Sequence, residues 1–283
     1  MDEILGLFQG DGLINMGVSV WNACCVLVGS IIGVSPEATN SSAWSYMTNS
    51  IYPIFLTIGI SLMALFFLIG YFRESADIRQ MLTLEQTILM FVRLVIANAV
   101  VTSVLIWIPR CLQWATSIVG SITGLSSGGL GTLDPETITA NNLALFDVVG
   151  VIAGWVISLV FFLVAIVCGL ALVLTVYKRV FSLLMLIPFA PTALSSIAGG
   201  RGLSYTATSW FKEFMSLCFE IVVIALALSI AGFFIGENVF ASVFEFYSGA
   251  EQFADIIYAI FSMDLVVATV KGSNALVKRA LGL

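Results

Sequence analysis

Long apolar runs dominate the chain and follow one another through most of its length. A helix needs about 20 apolar residues to cross the roughly 30 Å hydrocarbon core of a bilayer. Five runs reach or approach that length, and we predict a transmembrane helix in each of them. These predicted spans are residues 51–71, 87–108, 148–176, 216–235 and 253–270.

Residues 13–32 form an uncharged apolar run with a weak polar stripe on one helical face. Such a stripe is typical of an amphipathic helix that lies in the membrane interface. We therefore expect an N-terminal interfacial helix and external loop in residues 1–50, ahead of a polytopic transmembrane domain in residues 51–283. The polar residues of the stripe are Asn15, Ser19, Asn22 and Ser30.

Residues 181–210 are also apolar at first, but Pro188 and Pro191 interrupt them. Proline removes a backbone donor and clashes with the preceding turn, so a straight helix is disfavoured there. Irregular backbone at membrane depth is tolerated only where protein or water covers it. The pattern predicts a re-entrant segment within an all-α integral membrane protein.

The charged residues favour one orientation in the membrane. Cytoplasmic loops of membrane proteins carry an excess of Lys and Arg. The loops at residues 112–147 and 236–252 hold acidic residues but no base, and only Arg110 lies beside them. We expect a multi-pass protein of the cytoplasmic membrane with those loops outside and the C-terminus in the cytoplasm. The bases that define the cytoplasmic side are Arg73, Arg79, Lys178, Arg179, Arg201, Lys212, Lys271, Lys278 and Arg279.

Composition supports the membrane assignment and narrows the functions. The chain is 60% hydrophobic and 10% charged, with a mean hydropathy of +1.08. A soluble domain carries about 25% charged residues, so this chain has too few to cover a water-facing surface. The net charge of −6 argues against nucleic acid held on a broad basic surface. Transient contact through a few pore-lining residues stays open.

Enzyme motifs are absent or lack their partners. Residues 124–128 match the G-x-S-x-G pattern of hydrolases, but the chain has no histidine to accept the serine proton. Neither a P-loop nor a G-x-G-x-x-G motif occurs, and the five cysteines lack metal-site spacing. The sequence predicts no enzyme, cofactor or metal site, and it leaves room for ordered lipid between subunits.

Three charged residues fall inside the predicted spans: Arg93, Glu220 and Asp264. Charge is costly in lipid, so such residues often mark a polar pathway or an ion-coupling site. We favour a structural role, with Arg93 and Glu220 near the cytoplasmic ends, snorkelling or paired with each other. Asp264 lies deeper, although Lys271 reaches partway towards it.

The most unusual stretch begins at Pro188, where residues 188–193 spell Pro-Phe-Ala-Pro-Thr-Ala. Small residues follow, and Trp210-Phe211-Lys212 opens another apolar helix. This pattern resembles the TrbL-like polytopic membrane proteins of conjugative type IV secretion systems, particularly the short versions from Gram-positive mobile elements. The order of features along nearly the whole chain is similar as well.

The resemblance implies a channel-forming or scaffold subunit of a complex that transfers DNA or protein. Such a subunit is a homo-oligomer without enzymatic activity, and it works with a separate secretion ATPase, a coupling protein and external channel subunits. Transient contact with the transferred DNA follows from that role. The alternative is a small-solute transporter or permease subunit, which Asp264 and the broken segment favour. Carried onto this chain, the resemblance places a cytoplasmic-mouth element at Pro188, Pro191, Arg201, Trp210 and Lys212.

Overall fold

The chain folds as helices joined by turns, as the apolar runs predict. A computed structural model describes residues 11–75, 84–125, 131–134, 138, 148–200, 202–235, 251–280 and 282, and no strand occurs among them. A π-helical turn (Met47–Ile51) and a 3₁₀ helix (Ser195–Gly199) interrupt the α-helices. The α-helices are α1 (Asp11–Ile32), α2 (Pro36–Thr39), α3 (Ser41–Tyr46), α4 (Tyr52–Ser75), α5 (Leu84–Thr102), α6 (Val104–Leu125), α7 (Val148–Leu186), α8 (Ala190–Leu194), α9 (Tyr205–Ile235) and α10 (Glu251–Ala280).

Five helices in the described part of the chain are long and apolar enough to cross a membrane. Much of their apolar surface faces outward, since the buried share of the most apolar window runs from 17% in Ser41–Ser75 to 56% in Tyr205–Gly232. A water-soluble fold would cover such a surface, and lipid is the solvent that accepts it. The protein is therefore an all-α, multi-pass membrane protein. The five are Gly12–Ile32, Ser41–Ser75, Gly154–Leu186, Tyr205–Gly232 and Asp255–Ala280.

The span predicted at residues 87–108 differs from the structure, which bends there. Helix α5 ends at Thr102, and α6 leaves it at 63° and continues to Leu125. The hydroxyl of Thr102 donates to the carbonyls of Asn98 (2.8 Å) and Ala99 (3.2 Å), and that of Ser103 donates to Val100 (3.3 Å). The hydroxyl of Tyr52 on α4 also donates to the carbonyl of Val101 (3.3 Å), so side chains take up carbonyls where the helical ladder is interrupted.

The residues group into two compact units. Unit 1 comprises Met1–Gly33, Ser117–Tyr177 and Ile221–Leu276, and unit 2 comprises Val34–Thr116, Lys178–Glu220 and Val277–Leu283. The core of unit 2 is a cluster of buried apolar side chains from α4, α6, α7, α8 and α9. Among its largest members are Ile108, Leu112, Leu183, Ile187 and Phe214.

Helix α1 packs along α7 inside unit 1. A side chain at Gly17 would meet the ring of Phe161, and one at Gly169 would meet the sulfur of Cys24. The contacts advance together along both helices, so the two run in the same direction. One residue of the polar stripe binds a loop: the side chain of Asn22 donates to the carbonyl of Leu133 (2.8 Å) and accepts from its amide (2.9 Å). The interfacial position predicted for this helix stays a prediction.

Candidate functional site

The proline-broken segment, residues 187–204 of unit 2, separates α7 from α9. Pro188 and Pro191 are both buried, and neither has an amide proton to continue the helix. The amide of Ala190 instead bonds to the carbonyl of Ile187 (3.0 Å), which tightens the chain after α7. The break predicted from the two prolines is present, while its depth in a membrane stays a prediction.

The carbonyl of Leu186 receives its hydrogen bond from the next long helix. The indole Nε1 of Trp210 on α9 donates to it over 3.1 Å. A buried carbonyl left without a donor costs roughly 1–3 kcal/mol, so this bond stabilises the end of α7. Trp210, predicted as part of a cytoplasmic-mouth element, therefore fastens the broken segment.

The other end of the segment is closed by Ser196. Its hydroxyl accepts a hydrogen bond from the amide of Ala207 (3.1 Å) in the first turn of α9 and donates to the carbonyl of Ala193 (2.7 Å). Free amides in the first turn of a helix need such acceptors. The Trp210 bond thus joins α9 to the end of α7, and the Ser196 bond joins the segment to the first turn of α9.

Helix α4 approaches the segment closely at two glycines. A Cβ at Gly59 would lie 2.7 Å from the carbonyl carbon of Pro191, and one at Gly70 would lie 2.7 Å from the carbonyl oxygen of Gly199. The two glycines are eleven residues apart, about three helical turns, so they share one face of α4. Only hydrogen at these positions lets the backbones come this near.

Aromatic rings fill the space beside Trp210. Its ring stacks on Phe214 with a centroid separation of 5.4 Å, and Trp107 of α6 meets both rings edge-on at 6.2 and 5.7 Å. Offset and edge-on pairs of this kind add about 0.5–1.5 kcal/mol each beyond area burial. The cluster fixes the start of α9 against α6.

Two arginines lie against the glycine turn that leads into α9. The Nη1 of Arg93 is 3.3 Å from the Oε1 of Glu74, and a Cβ at Gly200 would collide with the Arg93 guanidinium. A Cβ at Gly202 would lie 2.8 Å from Nη1 of Arg73. Both glycines have positive φ, 75° and 92°, which side chains disfavour. Arg93 is thus structurally paired with Glu74, whereas Arg201 lies outside the described residues.

Glu220 is buried near a buried arginine. Arg179 is 3% exposed, its Nε donates to the carbonyl of Leu217 over 2.8 Å, and it interacts electrostatically with Glu220. A buried charge persists only with such compensation. From the sequence, Arg179 was predicted only to mark the cytoplasmic side, and its burial beside Glu220 was not predicted. Arg179 lies seven residues after Leu172 and four before Leu183, which are both fully buried. This spacing places all three side chains on one face of the helix, and that face is the signal for its burial.

Asp264 belongs to unit 1 and is exposed on α10. The sulfur of Cys168 on α7 donates to its Oδ1 over 3.3 Å. Its exposure differs from the enclosed carboxylate of an ion-coupling site, because such sites lie at the protein interior. Cys168 was not predicted as a partner, since residues 96 positions apart give no sequence signal.

The structure brings some of the predicted residues together. Pro188, Pro191 and Trp210 share the broken segment and its anchor, while Lys212 is exposed on the first turns of α9. Within the described residues, no three Cys, Asp or Glu side chains converge where they would hold a metal ion. No family model, curated protein or solved structure matches the chain.

Proposed function

We propose that the protein is a membrane subunit of a conjugative type IV secretion complex, in which it forms or braces the channel. It acts as an oligomer in the cytoplasmic membrane and draws energy from a separate ATPase. The residues that carry the resemblance to TrbL-like proteins support this role, together with the multi-pass helical fold.

The observation that carries the proposal is the construction of the proline-broken segment. A cytoplasmic loop without a role would be solvated and variable in shape. Here Pro191 and Ser196 are buried, a side-chain hydrogen bond joins the segment to α9, and another joins the two helices that flank it. Tyr205 (77% exposed) and Lys212 then face outward from the start of α9. A rigid element that presents exposed aromatic and basic groups suits the docking of a partner subunit.

The first experiment is gentle extraction from a native host, with the mass of the complex measured and its partners identified. We expect a large homo-oligomer that co-purifies with a transfer ATPase. A monomer or dimer without that partner would contradict the proposal.

Point variants then test the segment in a mating assay. Lys212→Glu reverses an exposed charge and should abolish transfer, and Pro191→Ala should weaken it by loosening the buried turn. Lys271→Glu is the matched control, because it makes the same charge change on an exposed residue of α10. Immunoblotting of membranes confirms equal protein levels. Normal transfer by Lys212→Glu would show that this face is not a docking site.

A small-solute permease is the second candidate: the position of Asp264 within a span favours it, whereas the exposure of that side chain in the described chain argues against it. A carboxylate at membrane depth is costly, so it often marks a functional site. Asp264→Asn should leave conjugative transfer intact if the channel proposal is correct. Loss of a solute gradient with normal transfer would favour the permease instead.

A further inference from the structure

Helix α6 buries one face and exposes polar side chains on the opposite face. Its buried apolar residues recur at intervals of three or four positions, as they do on one side of a helix. They are Val104, Ile108, Leu112, Ala115 and Val119. The exposed residues Arg110, Gln113, Ser117 and Ser121 follow the same spacing and form what we call the α6 stripe. At 3.6 residues per turn, the centres of the two faces lie about 180° apart.

The buried face of α6 packs among membrane-spanning helices. Leu112 belongs to the core of unit 2 together with Leu183 of α7 and Cys218 of α9. The neighbouring Cys111 interacts electrostatically with Cys218. Cys218 is the fourteenth of the 28 residues of Tyr205–Gly232, which is long and apolar enough to cross a membrane. This part of α6 therefore lies at the depth of the hydrocarbon core.

The exposed side chains of α6 at this depth differ from those of a lipid-facing helix. Arg110 and Gln113 are exposed within one turn of Cys111, and Arg110 has no ion-pair partner among the described residues. A charge in lipid is costly, so such residues face the interior of an assembly or a water-filled cavity. On α7 the exposed residues are instead large and apolar over several turns, as lipid requires: Val160, Leu163, Val167, Leu170 and Leu174.

Water fits the α6 stripe better than a dry contact between copies. Every residue of the stripe is polar and none is acidic, so a second copy packed stripe against stripe would bring no carboxylate to Arg110. A buried guanidinium without a counter-charge is strongly destabilising. The stripe also leaves room for water, because a Cβ at Gly120 or Gly124 on this side of α6 would meet no atom within 4 Å.

We propose that the α6 stripe lines the aqueous path through the oligomer, where Arg110 from every copy contributes to a ring of positive charge. Rings of arginine in a pore select anions and phosphates. The cargo suited to this ring is therefore a polyanion, a nucleic-acid strand whose phosphates pass the ring one after another. This inference rests on the secretion role proposed above and adds the face of the subunit that meets the cargo.

Spin labels distinguish the media that surround the two sides of α6. The full chain, without its five native cysteines, carries one label at Ser117→Cys or at Ile118→Cys and is reconstituted as the purified oligomer in phospholipid vesicles. The two positions are 100° apart on one helix, and Ile118 is 42% exposed beside the stripe. We expect a water-soluble nickel chelate to relax the label at 117, whereas oxygen dissolved in lipid relaxes the label at 118.

The label at 117 reports at membrane depth, because it lies six residues, about 9 Å of helix, beyond Cys111. Three results would overturn the proposal. Nickel access at both positions would mean that α6 lies outside the bilayer, and oxygen access at both would mean that the stripe faces lipid. Access of neither reagent at 117 would mean a dry contact between copies.

The charge of Arg110 is tested in the mating assay, with immunoblotting of membranes for equal protein levels. Arg110→Glu should lower DNA transfer by about tenfold or more, the change expected when a unit charge about 6 Å from a phosphate reverses its sign in water. Arg110→Lys should retain transfer, because it keeps the positive charge. Equal losses in the two variants would assign the effect to side-chain shape and refute the ring, as would normal transfer by Arg110→Glu.

Failure of this inference is distinct from failure of the secretion role. A strain that lacks the chain and still transfers DNA would refute the secretion role, and with it the nucleic-acid cargo. A strain that needs the chain for transfer but tolerates Arg110→Glu would refute only the ring of charge.

Discussion

Glycine positions that look alike in the sequence have opposite roles in the structure. Gly59 and Gly70 face backbone atoms of the proline-broken segment, whereas Gly120 on α6 faces open space. Hydropathy does not distinguish them, because all three lie in apolar helices. The difference arises from tertiary packing, which fixes the space available to a Cβ.

Gly59→Ala should destabilise the protein by about 1–3 kcal/mol, because the new methyl would overlap the carbonyl group of Pro191. The measurement is the midpoint of thermal unfolding in detergent. Gly120→Ala is the matched control and should stabilise by about 0.5–1 kcal/mol, since alanine is the better helix former where nothing is near. Equal shifts for the two variants would show that α4 does not pack on the segment.

Arg179 is a charged side chain that is buried away from water. Arg179→Met should lower the free energy of unfolding by about 3–5 kcal/mol, because it removes a buried positive charge that interacts with the buried Glu220. Adding Glu220→Gln should recover part of that loss, with a coupling of about 0.5–3 kcal/mol. Denaturant titration of the four proteins gives the cycle, and purely additive effects would refute the pairing.

At the scale of the helix, the sequence predicted the existence of elements better than their ends and bends. The apolar runs located α4, α7, α9 and α10, and the two prolines located the break after Leu186. Helix α7 nevertheless runs ten residues beyond the predicted end at 176, because one face of its last turns, with Leu183 fully buried, packs into the core of unit 2.

The 63° bend after Thr102 was missed for a different reason. Thr102 and Ser103 read as ordinary small polar residues in an apolar run. At the bend, side chains bond to helix carbonyls, including the hydroxyl of Tyr52 to Val101 from 49 residues away, and hydropathy does not register such bonds. The Trp210 bond was also invisible, since it joins residues 24 positions apart.

Trp210→Phe isolates that bond from ring packing. The phenyl ring keeps much of the aromatic contact, but the carbonyl of Leu186 loses its indole donor, so we expect a loss of about 1–3 kcal/mol. Thermal unfolding in detergent again provides the measurement. Trp114→Phe is the control, because Trp114 is 69% exposed and should shift the midpoint little. Equal shifts of the midpoint in the two variants would mean that the smaller ring, and not the lost hydrogen bond, destabilises the protein.

At the scale of the whole molecule, the outward-facing apolar residues indicate that lipid surrounds the protein. The predicted orientation across the membrane rests instead on the positions of the basic residues alone. We expect Ser75 and Ala280 on the cytoplasmic side and Leu125 outside, because bases cluster near the first two. Single cysteines at these positions, in a background without the five native cysteines, report this through a membrane-impermeant maleimide on intact cells. Labelling at 75 and 280 but not at 125 would invert the topology.

The bond from Trp210 to Leu186 also sets an order of events during synthesis. When α7 has left the ribosome, its final carbonyl still lacks the indole donor, which is made 24 residues later. The amide of Ala207 and the hydroxyl of Ser196 likewise meet only once α9 has begun. The broken segment therefore matures after the start of α9 has emerged, and a nascent chain arrested before residue 210 should show fast amide exchange in this segment.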